Sequence, residues 1–90
     1  MLRTEILDTA KSVVTGQREQ DYGSAESNFS LIADLWSVYL EEEILAEDVA
    51  LMMALFKIAR IKTGRGTDDS YVDACGYLAC GGEIHAKNQE

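Results

Sequence analysis

Ninety residues are enough for one domain with a modest core, and chains of this length often gain stability by forming oligomers. Hydrophobic residues make up 47% of the chain, which excludes an intrinsically disordered protein. The net charge of −8 excludes a general nucleic-acid-binding surface, because such surfaces use basic patches to neutralise phosphates. A local basic pocket for one small anion remains compatible with this composition.

Helical periodicity predicts an all-α fold, with residues 1–90 forming a single domain built as a four-helix bundle. The chain contains no proline and few strong turn signals, which favours long helices joined by short loops. Gly16 is expected to end the first helix, and Ser24 and Thr67 are expected N-cap residues for the second and fourth. The four predicted helices cover residues 4–15, 25–42, 47–62 and 68–86.

The third predicted helix contains DVALMMALFKIARI and is apolar nearly all round, interrupted only by Asp48, Lys57 and Arg60. A helix of this kind needs to be covered on most sides, and three short helices of the same chain can hardly do so. We therefore predict a homo-oligomer with this helix near the interface.

Two further features bear on the location of the protein. Cys75 and Cys80 are five residues apart on the fourth predicted helix and point about 140° away from each other, which predicts two reduced thiols. The first residues do not resemble a signal peptide, and no apolar run reaches the roughly twenty residues of a membrane span. These features predict a cytoplasmic protein without membrane contacts.

Opposite charges flank the turn between the third and fourth predicted helices. Lys57 and Arg60 leave the same side of one helix, Asp69 and Asp73 lie one turn apart on the next, and the short GRG turn makes the two helices antiparallel neighbours. One interpretation is an interhelical ion-pair network that fixes the register. The other is a functional site, in which Asp69 and Asp73 share Mg²⁺ while Lys57, Arg60 and Arg65 receive phosphate oxygens.

Two other polar segments each have a structural and a functional interpretation. The RxxDYG motif either forms an ordinary turn with Gly23 at positive φ, or places Arg18 and Tyr22 over a ligand. The acidic run at 41–48 is either a solvated turn or a second set of metal ligands, and Asp48 within it either caps a helix or faces inward.

Four segments together are similar to a family of small helical proteins encoded by phages and prophages. The similarity covers about residues 18–83, and it implies phage ancestry and the host cell cytoplasm without implying a settled function. The segments are DYG at 21–23, LWSVYL at 35–40, DVALMMALFKIARI at 48–61 and DSYVDACGYLAC at 69–80.

The order DYG, K-I-A-R and D-x-x-x-D-x-x-x-Y more distantly resembles a nucleotide-modification-associated phage domain and the all-α nucleotide pyrophosphatases of the MazG and dUTPase type. Such enzymes hold Mg²⁺ with acids from two helices and hydrolyse nucleoside triphosphates through an activated water. The resemblance implies that Asp69 and Asp73 are metal ligands and that Lys57 and Arg60 contact phosphates. The chain departs from the pattern because its third helix lacks the ExxE pair, so half of the expected metal cage is missing.

Three functional hypotheses are compatible with these observations. The first is a nucleotide-binding protein, whether or not it keeps a minimal pyrophosphatase activity, with the charged cluster as its site and Arg18 and Tyr22 at the rim. The second is a non-enzymatic counter-defence protein that blocks a host immune complex through its acidic surface or sequesters a nucleotide signal. The third is a structural helper without a ligand, in which the charges only stabilise the fold.

Overall fold

Helices form nearly all of the protein in the computed structural model, which describes residues 1–65 and 67–89 without the side chains of Gln17, Arg18, Tyr22 and Arg65. The described residues contain no strand, so the predicted all-α class is confirmed. The four long helices agree with the predicted ones to within two residues at either end. The helices are α1 (Arg3–Thr15), α2 (Gln17–Tyr22), α3 (Ala25–Leu40), α4 (Ala46–Arg60) and α5 (Asp68–Asn88).

The short helix α2 lies in a segment for which only a connector is predicted. Six residues are too few for helical periodicity to be recognisable, which explains why the sequence pattern does not indicate it. The helix ends at Gly23, whose N–H donates to the carbonyl of Glu19 at 2.9 Å. Gly23 has a φ of +80°, which confirms the positive φ predicted for this position.

The chain leaves α4 through Ile61–Arg65, a segment that is kinked at Gly64. Gly64 within it has a φ of +81°, a conformation that glycine adopts without steric cost, and the chain then reverses into α5.

Thr67 occupies the N-cap position of α5 as predicted, but its side chain accepts no helix N–H. Ser24 does cap α3, since its hydroxyl accepts from the N–H of Ser27 at 3.1 Å.

The centre of the fold is the pair formed by α4 and α5. Val49 and Ala50 of α4 are fully buried. Gly81 of α5 lies so close to Ala50 that a Cβ at position 81 would be 3.0 Å from the Cβ of Ala50. Gly76, also on α5, would place a Cβ 3.1 Å from Val14 of α1. Glycines therefore allow α5 to pack closely between α1 and α4.

Helix α3 completes the core from the side of α4. Phe29 and Ala33 of α3 form one apolar cluster with Val49 and Ala50 of α4 and Ile84 of α5. Trp36 and Tyr77 pack against this cluster and are half-buried. A small set of aromatic and aliphatic side chains thus holds three helices together.

The turn between α3 and α4 is held by the hydroxyl of Ser37. This oxygen accepts from the N–H of Ile44 at 2.8 Å and donates to the carbonyl of Ala33 at 2.7 Å. Ser37 is half-buried although it is polar, because the turn folds back over it. Glu41 ends α3 in the left-handed conformation, with a φ of +56°.

Replacing Glu41 with glycine is expected to stabilise the protein by up to about 1 kcal/mol, because glycine has no Cβ to oppose a positive φ. Glu42→Gly is a matched control, since it removes the same charge at a position without positive φ and should be destabilising. Urea unfolding followed by circular dichroism measures both free energies. Equal effects of the two substitutions would show that the backbone of Glu41 is not strained.

One side of α4 is left uncovered by the residues that the structure describes. The buried residues Val49, Ala50 and Ala54 share one side, whereas apolar side chains on the other side are 40–62% exposed. This arrangement agrees with the sequence-based view of α4 as apolar nearly all round. The exposed apolar side chains of α4 are Leu51, Met52, Leu55, Phe56 and Ile58.

None of the described helices combines the length and the apolar character needed to cross a bilayer. Cys75 and Cys80 form no disulfide, and both are half-buried, in agreement with the predicted reduced thiols.

Candidate functional site

Lys57 and Asp73 form an ion pair between α4 and α5. The ammonium nitrogen of Lys57 lies 3.0 Å from Oδ2 of Asp73, and the two side chains are 21% and 36% exposed. Lys57 is in the last turns of α4 and Asp73 is near the start of α5, so the pair connects the two helices beside their turn. These two members of the predicted charged cluster are in contact with each other.

Arg60, a third member of the cluster, adjoins this pair through Phe56, because the ammonium nitrogen of Lys57 lies 5.6 Å from the centre of that ring. The guanidinium carbon of Arg60 lies 4.7 Å from the centre of the Phe56 ring, a cation–π contact along the surface of α4. Asp69 is exposed and has no ion pair among the described residues. Lys57 therefore adjoins both Asp73 and Arg60, and their assignment to a binding site stays a prediction.

A cavity of about 70 Å³ lies beside Asp73, between α1, the start of α3 and α5. Its aromatic wall is formed by Phe29 and Tyr77, whose ring centres are 6.2 Å apart. Its polar lining comes from Glu19, Asn28 and Asp73. The cavity is thus mainly apolar, with a few acceptor and amide groups at its edges. The remaining lining residues are Val13, Val14, Gly23, Ala25, Val72, Gly76 and Cys80.

The floor of the cavity follows from helical spacing on α5. Asp73, Gly76, Tyr77 and Cys80 recur three or four residues apart and so lie on one face of the helix. Asp73, Gly76 and Cys80 also belong to a stripe of acidic and small residues along α5, which suits close approach by another helix. That helix is α1, and Val14 approaches Gly76 there.

Sequence reasoning did not identify the cavity wall contributed by other helices. Phe29 is an apolar residue of α3 and belongs to the core, but its place beside Tyr77 depends on how α3 packs. Asn28 belongs to no recognisable motif. Glu19 follows Arg18 within RxxDYG, and this position was the one signal in the sequence for its place near a site. Local pattern does not reveal a cavity formed by three separate segments.

A second cavity of about 220 Å³ adjoins the first towards the end of α5. The two share Val14, Glu19, Ala25 and Cys80 in their walls. At the far side, the ammonium group of Lys87 lies 3.0 Å from a carboxylate oxygen of Glu26. The two cavities together form a groove, which we call the α5 groove, running from the Lys57–Asp73 pair to the Glu26–Lys87 pair.

The described residues contain no group of three His, Cys, Asp or Glu side chains that could hold a metal ion. Asp73 already binds Lys57, and Asp69 is exposed one turn away, so the residues present do not fit a resident Mg²⁺.

In the acidic run at 41–48, Asp48 accepts from the N–H of Leu45 at 2.9 Å, which confirms the cap interpretation. Glu47, another member of this run, contacts the imidazole of His85 on α5, which is an ordinary contact between side chains at the surface.

Three predicted ligand-binding side chains lie outside the described residues. They are those of Arg18, Tyr22 and Arg65, and their assignment to a site stays a prediction. Arg18 and Tyr22 belong to α2, the helix that contributes Glu19 to the cavity.

Asp73→Asn is expected to lower the free energy of unfolding by about 0.5–1 kcal/mol, because a half-exposed ion pair is partly screened by water. The loss should shrink at high salt. Asp69→Asn provides the control, since it removes the same charge one turn earlier without breaking an observed pair. Thermal unfolding of both variants measures the difference; a gain in stability from Asp73→Asn would instead indicate a carboxylate held ready for a cation.

A family model described as "Domain of unknown function (DUF6378)" matches residues 5–85. The chain is 48% identical over 73 residues to the Gene 55 protein of Mycobacterium phage L5, covering 80% of this chain and 47% of that protein. It is 42% identical over 85 residues to the Gene 55 protein of Mycobacterium phage D29, covering 94% of this chain and 56% of that protein. The chain therefore spans about half the length of these relatives.

No solved structure matches the chain. The phage relatives confirm the predicted similarity to small phage-encoded helical proteins. These matches lend no support to the more distant resemblance to nucleotide-modification-associated domains and MazG-type pyrophosphatases, which stays a prediction.

Proposed function

Since the chain belongs to the DUF6378 family, whose description names no function, we propose from its own geometry that it binds a nucleotide. The base occupies the cavity beside Asp73, and the phosphates lie towards Lys57 and Arg60. One observation carries this proposal: Asp73 lines an aromatic-walled cavity and also binds Lys57, so a cationic group adjoins a space suited to a ring.

The cavity has the size and chemistry for one small ring. One water needs about 10–15 Å³ of such volume, so a cavity of about 70 Å³ has room for several waters or a planar ring that displaces them. The rings of Phe29 and Tyr77 offer apolar contact. The amide of Asn28 both donates and accepts hydrogen bonds, and the carboxylate of Glu19 accepts, which suits the polar edge of a base.

The phosphates have two cationic partners at the end of α4. A phosphate would replace Asp73 as the partner of Lys57, exchanging one charge-assisted contact for another. Arg60 has its guanidinium held by Phe56, and a guanidinium group suits bidentate binding of a phosphate. Arg65 stays a predicted phosphate contact, and Arg18 and Tyr22 stay predicted residues of the rim.

The proposal is for binding without hydrolysis. Metal-dependent pyrophosphatases use carboxylates from two helices, and the described residues contain no metal-holding group of that kind. Mg²⁺ would enter only as the ion that accompanies a triphosphate, with Asp69 and Asp73 as the nearest predicted carboxylates.

Titration calorimetry with nucleoside mono- and triphosphates of each base, with and without Mg²⁺, tests this function. Lys57→Ala should weaken binding about 10- to 100-fold, as expected for loss of a charge-assisted hydrogen bond. Tyr77→Leu should weaken it through loss of the ring. Lys62→Ala is the control, because it removes an exposed charge in the neighbouring turn. Absence of binding by any nucleotide, or equal affinity for all variants, would refute the proposal.

A second candidate function, blocking of a host immune complex, is favoured by the end of α3. Val38 and Tyr39 are 79% and 86% exposed, and they adjoin the acidic turn that contains Glu41. Apolar side chains with an acidic rim suit a partner with a basic rim around an apolar surface. Affinity capture from host lysate should retain such a partner with the wild type and with Leu7→Asp, but lose it with Tyr39→Asp. Equal retention by both variants would refute this interaction.

A further inference from the structure

The apolar residues on the uncovered side of α4 are spaced symmetrically about Leu55. Leu51 and Met52 lie four and three residues before it, and Ile58 and Ala59 lie three and four residues after it. All four are exposed, as is Leu55 at 62%. Residues three and four apart on a helix share a face, so these side chains form one apolar stripe centred on Leu55.

The two ends of this stripe carry opposite charges. Asp48 lies seven residues before Leu55, and Lys62 lies seven residues after it, in the segment that follows α4 and precedes the kink at Gly64. Seven residues correspond to about two helical turns, which keeps both charges close to the apolar stripe. Neither Asp48 nor Lys62 is in a salt bridge among the described residues.

We propose that two copies of the chain associate through this face, with α4 packed antiparallel against α4 of the other copy about a twofold axis at Leu55. In such an isologous interface Leu55 meets Leu55 of the partner subunit, and Asp48 faces Lys62 of the partner subunit at both ends. This proposal is independent of nucleotide binding.

Charge complementarity favours a second copy over other occupants of this face. The antiparallel arrangement brings opposite charges together twice, whereas a parallel one would place Asp48 against Asp48 of the partner subunit. The net charge of −8 makes two copies repel each other. Pairs of opposite charge at the interface offset this repulsion locally, and the antiparallel orientation is the one that forms them. The apolar stripe between them supplies the area to be buried.

The mass in solution tests whether the dimer exists and where its interface lies. Light scattering across a concentration series should give about twice the 9.9 kDa of one chain. Leu55→Lys places two like charges at the axis and should give a monomer. Leu7→Lys is the matched control, because Leu7 on α1 is 60% exposed, close to the value for Leu55, and should leave the dimer intact. A monomeric wild type, or a Leu55→Lys variant that stays dimeric, would overturn the proposal.

Charge exchange tests the antiparallel orientation. Asp48→Lys and Lys62→Glu should each weaken self-association about tenfold, because each turns both attractive pairs into repulsive ones. An equimolar mixture of the two variants should form a heterodimer that is tighter than either homodimer, since both pairs become attractive again. Asp48→Lys also removes the cap on Leu45, so circular dichroism must show that its helices persist. No preference for the heterodimer when both variants are folded would exclude this orientation.

Discussion

Phe29→Ala is expected to lower the free energy of unfolding by about 3–5 kcal/mol, the usual range for removing a buried phenylalanine ring. Phe29 is 5% exposed, it belongs to the apolar cluster shared by α3, α4 and α5, and it contacts the ring of Tyr77. Single domains are stable by about 5–15 kcal/mol, so this one change removes a large part of the total. Urea unfolding at equilibrium, followed by circular dichroism, measures the loss.

Phe56→Ala is the matched control for Phe29→Ala, because these are the two phenylalanines of the chain. Phe56 is 46% exposed and contacts Arg60 and Lys57 rather than the core, so its removal should cost less than about 1 kcal/mol. Similar losses for the two variants would mean that the apolar cluster around Phe29 does not hold the helices together.

Gly81→Val is expected to destabilise the protein by about 1–3 kcal/mol through overpacking. A Cβ at position 81 would already lie 3.0 Å from the Cβ of Ala50, and valine adds two methyl groups at a fully buried contact between α4 and α5. The helices must move apart to make room, which also loosens contacts along the rest of the pair. Thermal unfolding of the variant measures the shift.

Gly82→Val tests whether this loss comes from the contact or from the change of residue type. A Cβ at position 82 would meet no atom within 4 Å, and the backbone of α5 is the same at both positions. Since valine is a slightly better helix former than glycine, Gly82→Val should be neutral or mildly stabilising. Two variants with the same loss would indicate that glycine at 81 is not needed for close packing.

Much of the fold could be predicted because helical periodicity is a local property of the chain. The apolar spacing of α3, α4 and α5 indicated their bounds closely, and Ser24 marked the start of α3 by its cap. The contact between Lys57 and Asp73 was also foreseeable, since a short turn places the end of one helix beside the start of the next. Predictions that depend on neighbouring elements alone therefore performed well.

Features that depend on packing between distant segments could not be predicted. The cavity wall combines Glu19 of α2, Phe29 of α3 and Tyr77 of α5, and no local pattern places these side chains together. The same limit applies to Ser37, a polar residue whose hydroxyl lies beneath the turn to α4. One interpretation places Arg60 in an ion-pair network between the two helices, whereas its guanidinium contacts Phe56 on its own helix.

The unequal burial of the helices has a consequence for access to the cavity. Among the four long helices, α1 has one buried residue, Ala10, whereas α5 has six, so α1 should be the long helix whose backbone amides exchange with solvent first. Val13 and Val14 of α1 line the cavity, and local opening of this helix would expose it while the α4–α5 pair stays folded. Entry of a ligand would then be governed by the opening equilibrium of α1, and a bound ligand would slow amide exchange there.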